Sequence, residues 1–357
     1  MRKIERVVKN LSKYMLIYTF LVLYLLIVIF SSGCPKNPEE HYISALPSSA
    51  QLLFVSNMDT GSRTKEIYAM DDNGEDITRI THSPYHHCIV GIDRTKRYIL
   101  ATRVVEDTDS PEGLGDEDRK SLWLLDLETG NEKRLTDTSN NAEGDSFSPD
   151  GEWIVFHMVL AGENQADIYK MKIDGSGLTR LTHTNDATES DPSWSPDGEN
   201  IAFVSYSAQV PRFVLKIMDS DGNNMRTIYD PADTVATPYF KPGVYDPSWS
   251  PDGQWIVFEK PVHYSGENGD AGIWHIYKIH PDGTGLVDLS KQGGHESMAE
   301  YLPSFSGDGR QIVFSARYGS SDPANVQIDI FVMDHGGGSL SRLTDFDTIE
   351  DFGVWIK

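Results

Sequence analysis

A short pattern, Ser-(Phe/Trp)-Ser-(Pro/Gly)-Asp-Gly, recurs four times along this chain, at Ser146–Gly151, Ser193–Gly198, Ser248–Gly253 and Ser304–Gly309. Its Asp residues are 47, 55 and 56 positions apart. A period of this size marks a repeat architecture, in which one unit cannot bury its apolar face alone and must stack on its neighbours. An apolar strand follows each copy: Trp153–Phe156, Ile201–Val204, Trp255–Phe258 and Ile312–Phe314. Ser-Pro-Asp-Gly suits a type I turn: Pro presets φ at the second position, Asp tolerates the third and Gly suits the fourth. The aromatic before the turn can wedge between adjacent sheets, where it buries a large area. This geometric reading accounts for the Ser and Asp residues without a catalytic role.

Two further segments recur six times. The first is a strand: Ile67–Met70, Leu122–Leu125, Ile168–Met171, Leu215–Met218, Ile276–Ile279 and Ile330–Met333. Hairpin turns such as Asp72-Asn73-Gly74 and Ile173-Asp174-Gly175 follow it. The second closes each unit: Arg79-Ile80-Thr81, Arg134-Leu135-Thr136, Arg180-Leu181-Thr182, Arg226-Thr227-Ile228, Asp288-Leu289-Ser290 and Arg342-Leu343-Thr344. Each unit thus holds four short strands. The expected fold is all-β, a six-bladed β-propeller of four antiparallel strands per blade over residues 49–357, about 51 residues per blade. The last segment, Glu350–Lys357, aligns with Glu189–Trp194, which puts Trp355 at the wedge position. The strands that should follow it are supplied by Gln51–Val55. One blade is therefore expected to be closed by both termini, which hides two sheet edges.

The N-terminus reads as an address. Residues 1–14 are basic, Met15–Phe30 is an uncharged run of 16, and Ser31-Ser32-Gly33-Cys34 follows. A basic head, an apolar middle and small residues before a cut describe a secretory signal, and the run is short for a membrane span. Ser32-Gly33-Cys34 resembles the bacterial lipoprotein box. That resemblance implies a signal peptide over 1–33, cleavage before Cys34, and a diacylglycerol on its sulfur. An uncleaved signal anchor is the other reading, and either one exports the rest of the chain. Residues 34–48, rich in Pro, Ser and charge, are expected to form a flexible tether. Cys88 is then left as a small buried apolar residue.

The repeats resemble the WD40-like repeat family of TolB over nearly all of residues 49–357, with a weaker copy where Ile92–Tyr98 replaces the Pro-Asp-Gly turn. The repeat resemblance implies a binding module of the cell envelope, and the lipoprotein box implies that it is extracytoplasmic and lipid-anchored to the cell membrane or outer membrane. The partner is expected to be a protein or a glycan. Propellers present ligands at the channel mouth. By alignment, the loops leading into the innermost strands bring Glu189, Glu300, Glu350 and His87 to that mouth, with Val244 and Ala142 in the other blades. Their neighbours His86, Glu143, Asp191, Tyr245, Asp246 and Asp351 join them. Such carboxylates suit a basic peptide or a divalent cation, and equally a plain solvated rim.

The chain carries a formal net charge of −23, while its first 33 residues hold five basic side chains and one acid. The exported part is therefore strongly acidic, which disfavours nucleic acid. No cofactor is expected beyond that cation. The competing class is an enzyme, since propellers of this appearance occur in metal-assisted polysaccharide lyases. That option needs a His-rich cluster, for which His86, His87 and His295 are available. The acidic insertion Glu106–Asp118 lacks the regular spacing of a calcium loop. His335-Gly336-Gly337-Gly338 is read as a turn, and His82 and His183 as structural.

Overall fold

The structure, a computed structural model, describes residues 42–59, 64–106, 119–236, 240–264, 272–318, 327–346 and 348–356. The leader, Cys34 and most of the acidic insertion lie outside them. The strands form six four-stranded antiparallel units, of which blades 5 and 6 are joined into one sheet by a parallel pairing of Trp274 with Ala299. Blade 1 is built from Leu52–Ser56, Glu66–Met70 and Thr78–Arg79, with Glu350–Trp355 as its innermost strand. The innermost strands of blades 2 to 6 are His87–Ile92, Asn141–Phe147, Ala187–Trp194, Tyr245–Trp249 and Ala299–Phe305. In blade 1, Leu52 pairs with Trp355 and Ser56 with Glu350, so the two ends of the chain share one sheet.

Both faces of each sheet are covered, and this explains the unbroken apolar strands. The buried side chains fall into six clusters, each drawn from two adjacent blades. One of them packs Leu52, Phe54 and Tyr68 of blade 1 against Val313, Ile330 and Val332 of blade 6, with Trp355 between. The ring therefore closes through apolar contact as well as through strand pairing. Trp194 and Trp249 hold the same wedge position and are buried. Their indole N–H groups donate to Gly198 O and Ser193 O, each at 3.1 Å.

The recurring turn is locked by its own side chains. The Ser148 hydroxyl donates to Asp150 and accepts from the N–H of Trp153, while Asp150 accepts from the N–H of Glu152. Blades 4, 5 and 6 repeat this with Ser195/Asp197, Ser250/Asp252 and Ser306/Asp308. The Ser148 hydroxyl and then the amide hold the Asp150 carboxyl below the ordinary range. The divergent blade 2 makes the same turn by another route. Asp93 alone accepts from the backbone N–H groups of Thr95, Arg97 and Tyr98. Lys96 takes the left-handed backbone, φ 61°, that glycine adopts in the other copies.

Residues 42–48 of the expected tether are folded onto the propeller. Tyr42–Ile43 pairs with Thr81–His82. The Tyr42 ring stacks on His82 at 4.0 Å between centroids, and Ser44 bonds the same imidazole. Aromatic stacking on a blade edge thus holds a segment that composition alone marks as flexible.

Removing the wedge at the seam tests the closure. Trp355→Ala should cost about 3–5 kcal/mol of stability, read as a lowered urea midpoint, with Trp355→Phe costing much less.

Candidate functional site

The residues expected at the channel mouth divide into two groups. Glu189, Glu300, Glu350 and His87 are all 0% exposed. They lie between blades, because a strand's side chains face the sheets on either side. Glu189 accepts from the hydroxyls of Thr184 and Ser205. Glu350 accepts from Ser56 and Thr348. Glu300 accepts from Ser290 and is paired with the His295 ring. His87 bonds Ser83 and lies 3.6 Å from Glu66. These four positions are corrected from mouth to junction.

Facing each of them is the third strand of the preceding blade. Glu66 faces His87, and the charges of Asp167, His275 and Asp329 act across on Glu189, Glu300 and Glu350. The Arg-x-Thr segments pin the acids. Arg79 and Thr81 bond Glu66, Arg180 and Thr182 bond Asp167, and Arg342 and Thr344 bond Asp329. The same hydroxyls accept the N–H of Ile67, Ile168 and Ile330. Blade 5 reverses the charges, with His275 at the acid position and Asp288 at the arginine position, 2.9 Å apart. Burial raises the pKa of Glu66 and Glu189, and pushes Glu350 up to about 7 against its hydroxyl donors, with the Asp329 charge adding to the rise.

Of the second group, Asp191 and Asp246 line the channel. Every innermost strand carries one extra residue at the same depth, seen as a register shift in all six blades. Such a bulge re-aims a side chain. In four blades the bulged residue is left-handed: Asp191, Asp246, Leu302 and Phe352, with φ of 49–57°. All four line the channel, and Ser146, Ser193, Ser248 and Ser304 line it beyond them.

Asp191 and Asp246 interact in this channel, and Asp246 also reaches the buried Glu259. The N–H of Asp246 donates to the Asp191 carboxyl, and Leu302 N–H donates to Glu259 Oε2 at 2.7 Å. Asp246 and Glu259 are hydrogen-bonded, and this contact and the Leu302 N–H both favour the ionised form of Glu259. Burial pushes Glu259 well above the usual carboxylate range and raises Asp191. Alongside, Lys120 contacts Glu143 at 2.6 Å and Lys65 contacts Asp351 at 3.5 Å. Burial opposes the charge on Glu143, but Lys120 and the His157 ring hold its pKa below the ordinary value. Asp191 N–H also reaches His157 Nδ1 at 3.4 Å.

Tyr245 packs among Phe213, Phe240 and Trp274, and its hydroxyl donates to Lys241 O. His86 directly precedes the innermost strand of blade 2, its carbonyl accepting from Val104 N–H at 3.1 Å. His157 and Glu259, which contact the lining residues Asp191 and Leu302, are the residues that sequence reasoning missed. Both directly follow the Trp-Ile-Val-Phe strands, at Phe156 and Phe258. A polar residue ending an otherwise apolar strand was the available signal.

The profile described as the TolB beta propeller domain matches residues 113–229. A protein TolB homolog of Chlorobium luteolum is 36% identical over 173 residues, 48% of this chain and 32% of that one. An uncharacterized protein of Agrobacterium fabrum is 36% identical over 145 residues, 38% of this chain and 46% of its own. An uncharacterized peptidase, YuxL, of Bacillus subtilis is 29% identical over 190 residues, 46% and 27% of the two chains. The chain spans less than half the length of these curated relatives. Among solved structures, TolB from Acinetobacter baumannii aligns with a TM-score of 0.61 at 18% identity, over 87% of this chain and 68% of that one. A putative TolB from Agrobacterium tumefaciens aligns at 0.54 and 16%, over 87% and 100%. At these identities the structural likeness establishes the fold.

The Glu350 junction has a signed pH dependence. Its native pKa of about 7 lies above the ordinary 4.5. The folded protein therefore holds a proton that the unfolded chain has lost, and this contribution is spent as pH rises from about 4.5 through 7. Glu350→Gln should remove that loss. Its urea midpoint relative to the parent is expected to improve steadily between pH 5 and pH 8, by the order of 1–3 kcal/mol in stability.

Proposed function

We propose, from the premise that this chain is a TolB-like β-propeller, that it is an extracytoplasmic binding module of the cell envelope whose channel takes a basic segment of a protein partner. The observation that carries this reading is the pair of carboxylates, Asp191 and Asp246, that line the channel, with the buried Glu259 hydrogen-bonded to Asp246. Carboxylates whose ionisation is opposed by burial gain from any cation that enters. A lysine or arginine side chain brings one, steered by the field of a chain with net charge −23. A neutral glycan offers no such charge to the channel.

The module is tethered, in this reading, by lipid on Cys34. Each acyl CH₂ contributes about 0.8 kcal/mol to membrane partition, so two or more chains hold the protein stably. Support for this comes from residues 1–34 of the sequence. The metal-assisted lyase draws no support from the donor geometry. Among the described residues no group of three or more His, Cys, Asp or Glu could hold a metal ion, and His87 and His295 are bonded in separate junctions.

Two measurements check these points. A Lys/Arg-rich synthetic peptide titrated calorimetrically should bind more tightly as pH rises, because its charge favours the ionised carboxylates and expels their protons. The Asp246→Asn/Glu259→Gln pair should weaken it about tenfold or more; equal affinity would remove the channel as its site. For the tether, Cys34→Ser should abolish palmitate incorporation and move the protein to the soluble fraction. Retention of the variant in membranes would instead identify an uncleaved anchor.

A further inference from the structure

A second recess lies away from the channel, where blades 3 and 4 meet, on the face from which the chain runs into the innermost strands. It is formed by the Gly162–Gln165 loop of blade 3, the Thr184–Asp186 connection, and Tyr206–Ala208 of blade 4, with Lys241 at its edge. Its volume is about 760 Å³, within the range of small-molecule sites.

The chemistry of this recess differs from that of the channel. Its charges cancel in an otherwise acidic protein. Arg180 lies 3.3 Å from Glu163 and also bonds Asp167. The Lys241 ammonium sits 4.1 Å from the centre of the Tyr206 ring, and Asp186 supplies the balancing carboxylate. What remains to meet a ligand is a set of neutral polar groups. The side-chain amides of Asn164, Gln165 and Asn185 and the hydroxyl of Thr188 line the recess, and none has a protein partner among the described residues. Each amide offers a donor and an acceptor on one planar group. Sugar hydroxyls also donate and accept, and neighbouring hydroxyls on a pyranose meet such a group with both functions at once. A concave, charge-balanced site rich in amides discriminates against ions and favours a polyhydroxylated neutral ligand.

We propose that this recess is a saccharide-binding subsite for a neutral oligosaccharide, separate from the channel. It does not depend on the peptide reading, and the two fail independently. The test uses the full chain in detergent, titrated by calorimetry and saturation-transfer NMR with cellotetraose, maltotetraose and chitotetraose. At least one is expected to bind with a dissociation constant below about 10 mM. Gln165→Ala/Asn185→Ala should weaken that binding about tenfold or more at an unchanged melting temperature, whereas Glu259→Gln in the channel should leave it unaltered. The proposal is overturned if no sugar of the panel binds, if binding ignores the Gln165/Asn185 pair, or if an uncharged polar peptide occupies the recess in place of every sugar.

Discussion

The pairing of Glu350–Trp355 with Leu52–Ser56 is the contact on which the rest of the molecule depends. Each sheet has two apolar faces, and each face needs a neighbour. A row of six such sheets left open would expose one face at each end. Bringing the last strand of the chain into the first blade removes both exposed faces, and the Trp355 side chain then fills the space between blades 6 and 1. The channel exists because of this closure. Its lining residues come from six separate strands and converge only when the circle is complete.

Closure also explains why acidic residues follow two fates. A carboxylate carried on the pleat is driven between sheets, where it survives only with hydroxyl donors, as Glu189 does with Thr184 and Ser205. A carboxylate carried on the bulge is turned to the axis, as Asp191 and Asp246 are. One inserted residue per innermost strand therefore separates structural acids from those available to a ligand. The close approach of blades 4 and 5 shows how tightly the junctions are drawn. Gly243 lies where an added Cβ would come within 2.3 Å of Phe213 N.

Much of the fold was legible because its signals are local. The Ser-Pro-Asp-Gly turns, the six apolar third strands and the terminal Trp355 all report their structure within a few residues. The functional site was less legible because it depends on register. Alignment carried Glu189, Glu300, Glu350 and His87 to the mouth, since sequence spacing does not reveal which pleat face is enclosed. It brought forward Asp191 and Asp246 only as neighbours, and passed over His157 and Glu259 inside strands read as apolar. The Arg-x-Thr segments were visible as a repeat, but their task needed the acid opposite, thirteen positions earlier in the case of Arg79 and Glu66. Asp93 shows the converse: a turn that looked degenerate keeps its geometry because one carboxylate does the work of Ser and Asp together.

The six junctions are chemically unequal, and that inequality gives the ring a grain. Four carry ionisable pairs, at Glu66/His87, Asp167/Glu189, His275/Glu300 and Asp329/Glu350. The blade 2–3 and blade 4–5 seams place Ser121 and Val214 at the position of those acids, and Ala142 and Val244 opposite. In the first four a proton acts at the buried pair itself; in the other two the titratable contacts lie away from that position, at Lys120–Glu143 and at the Asp191 carboxyl that accepts from Asp246 N–H. A circle titrated in this way does not soften uniformly. The four seams with a buried pair carry the response, while blades 2 and 3, and blades 4 and 5, stay joined at that position by uncharged side chains, Ser121 and Ala142 in one and Val214 and Val244 in the other.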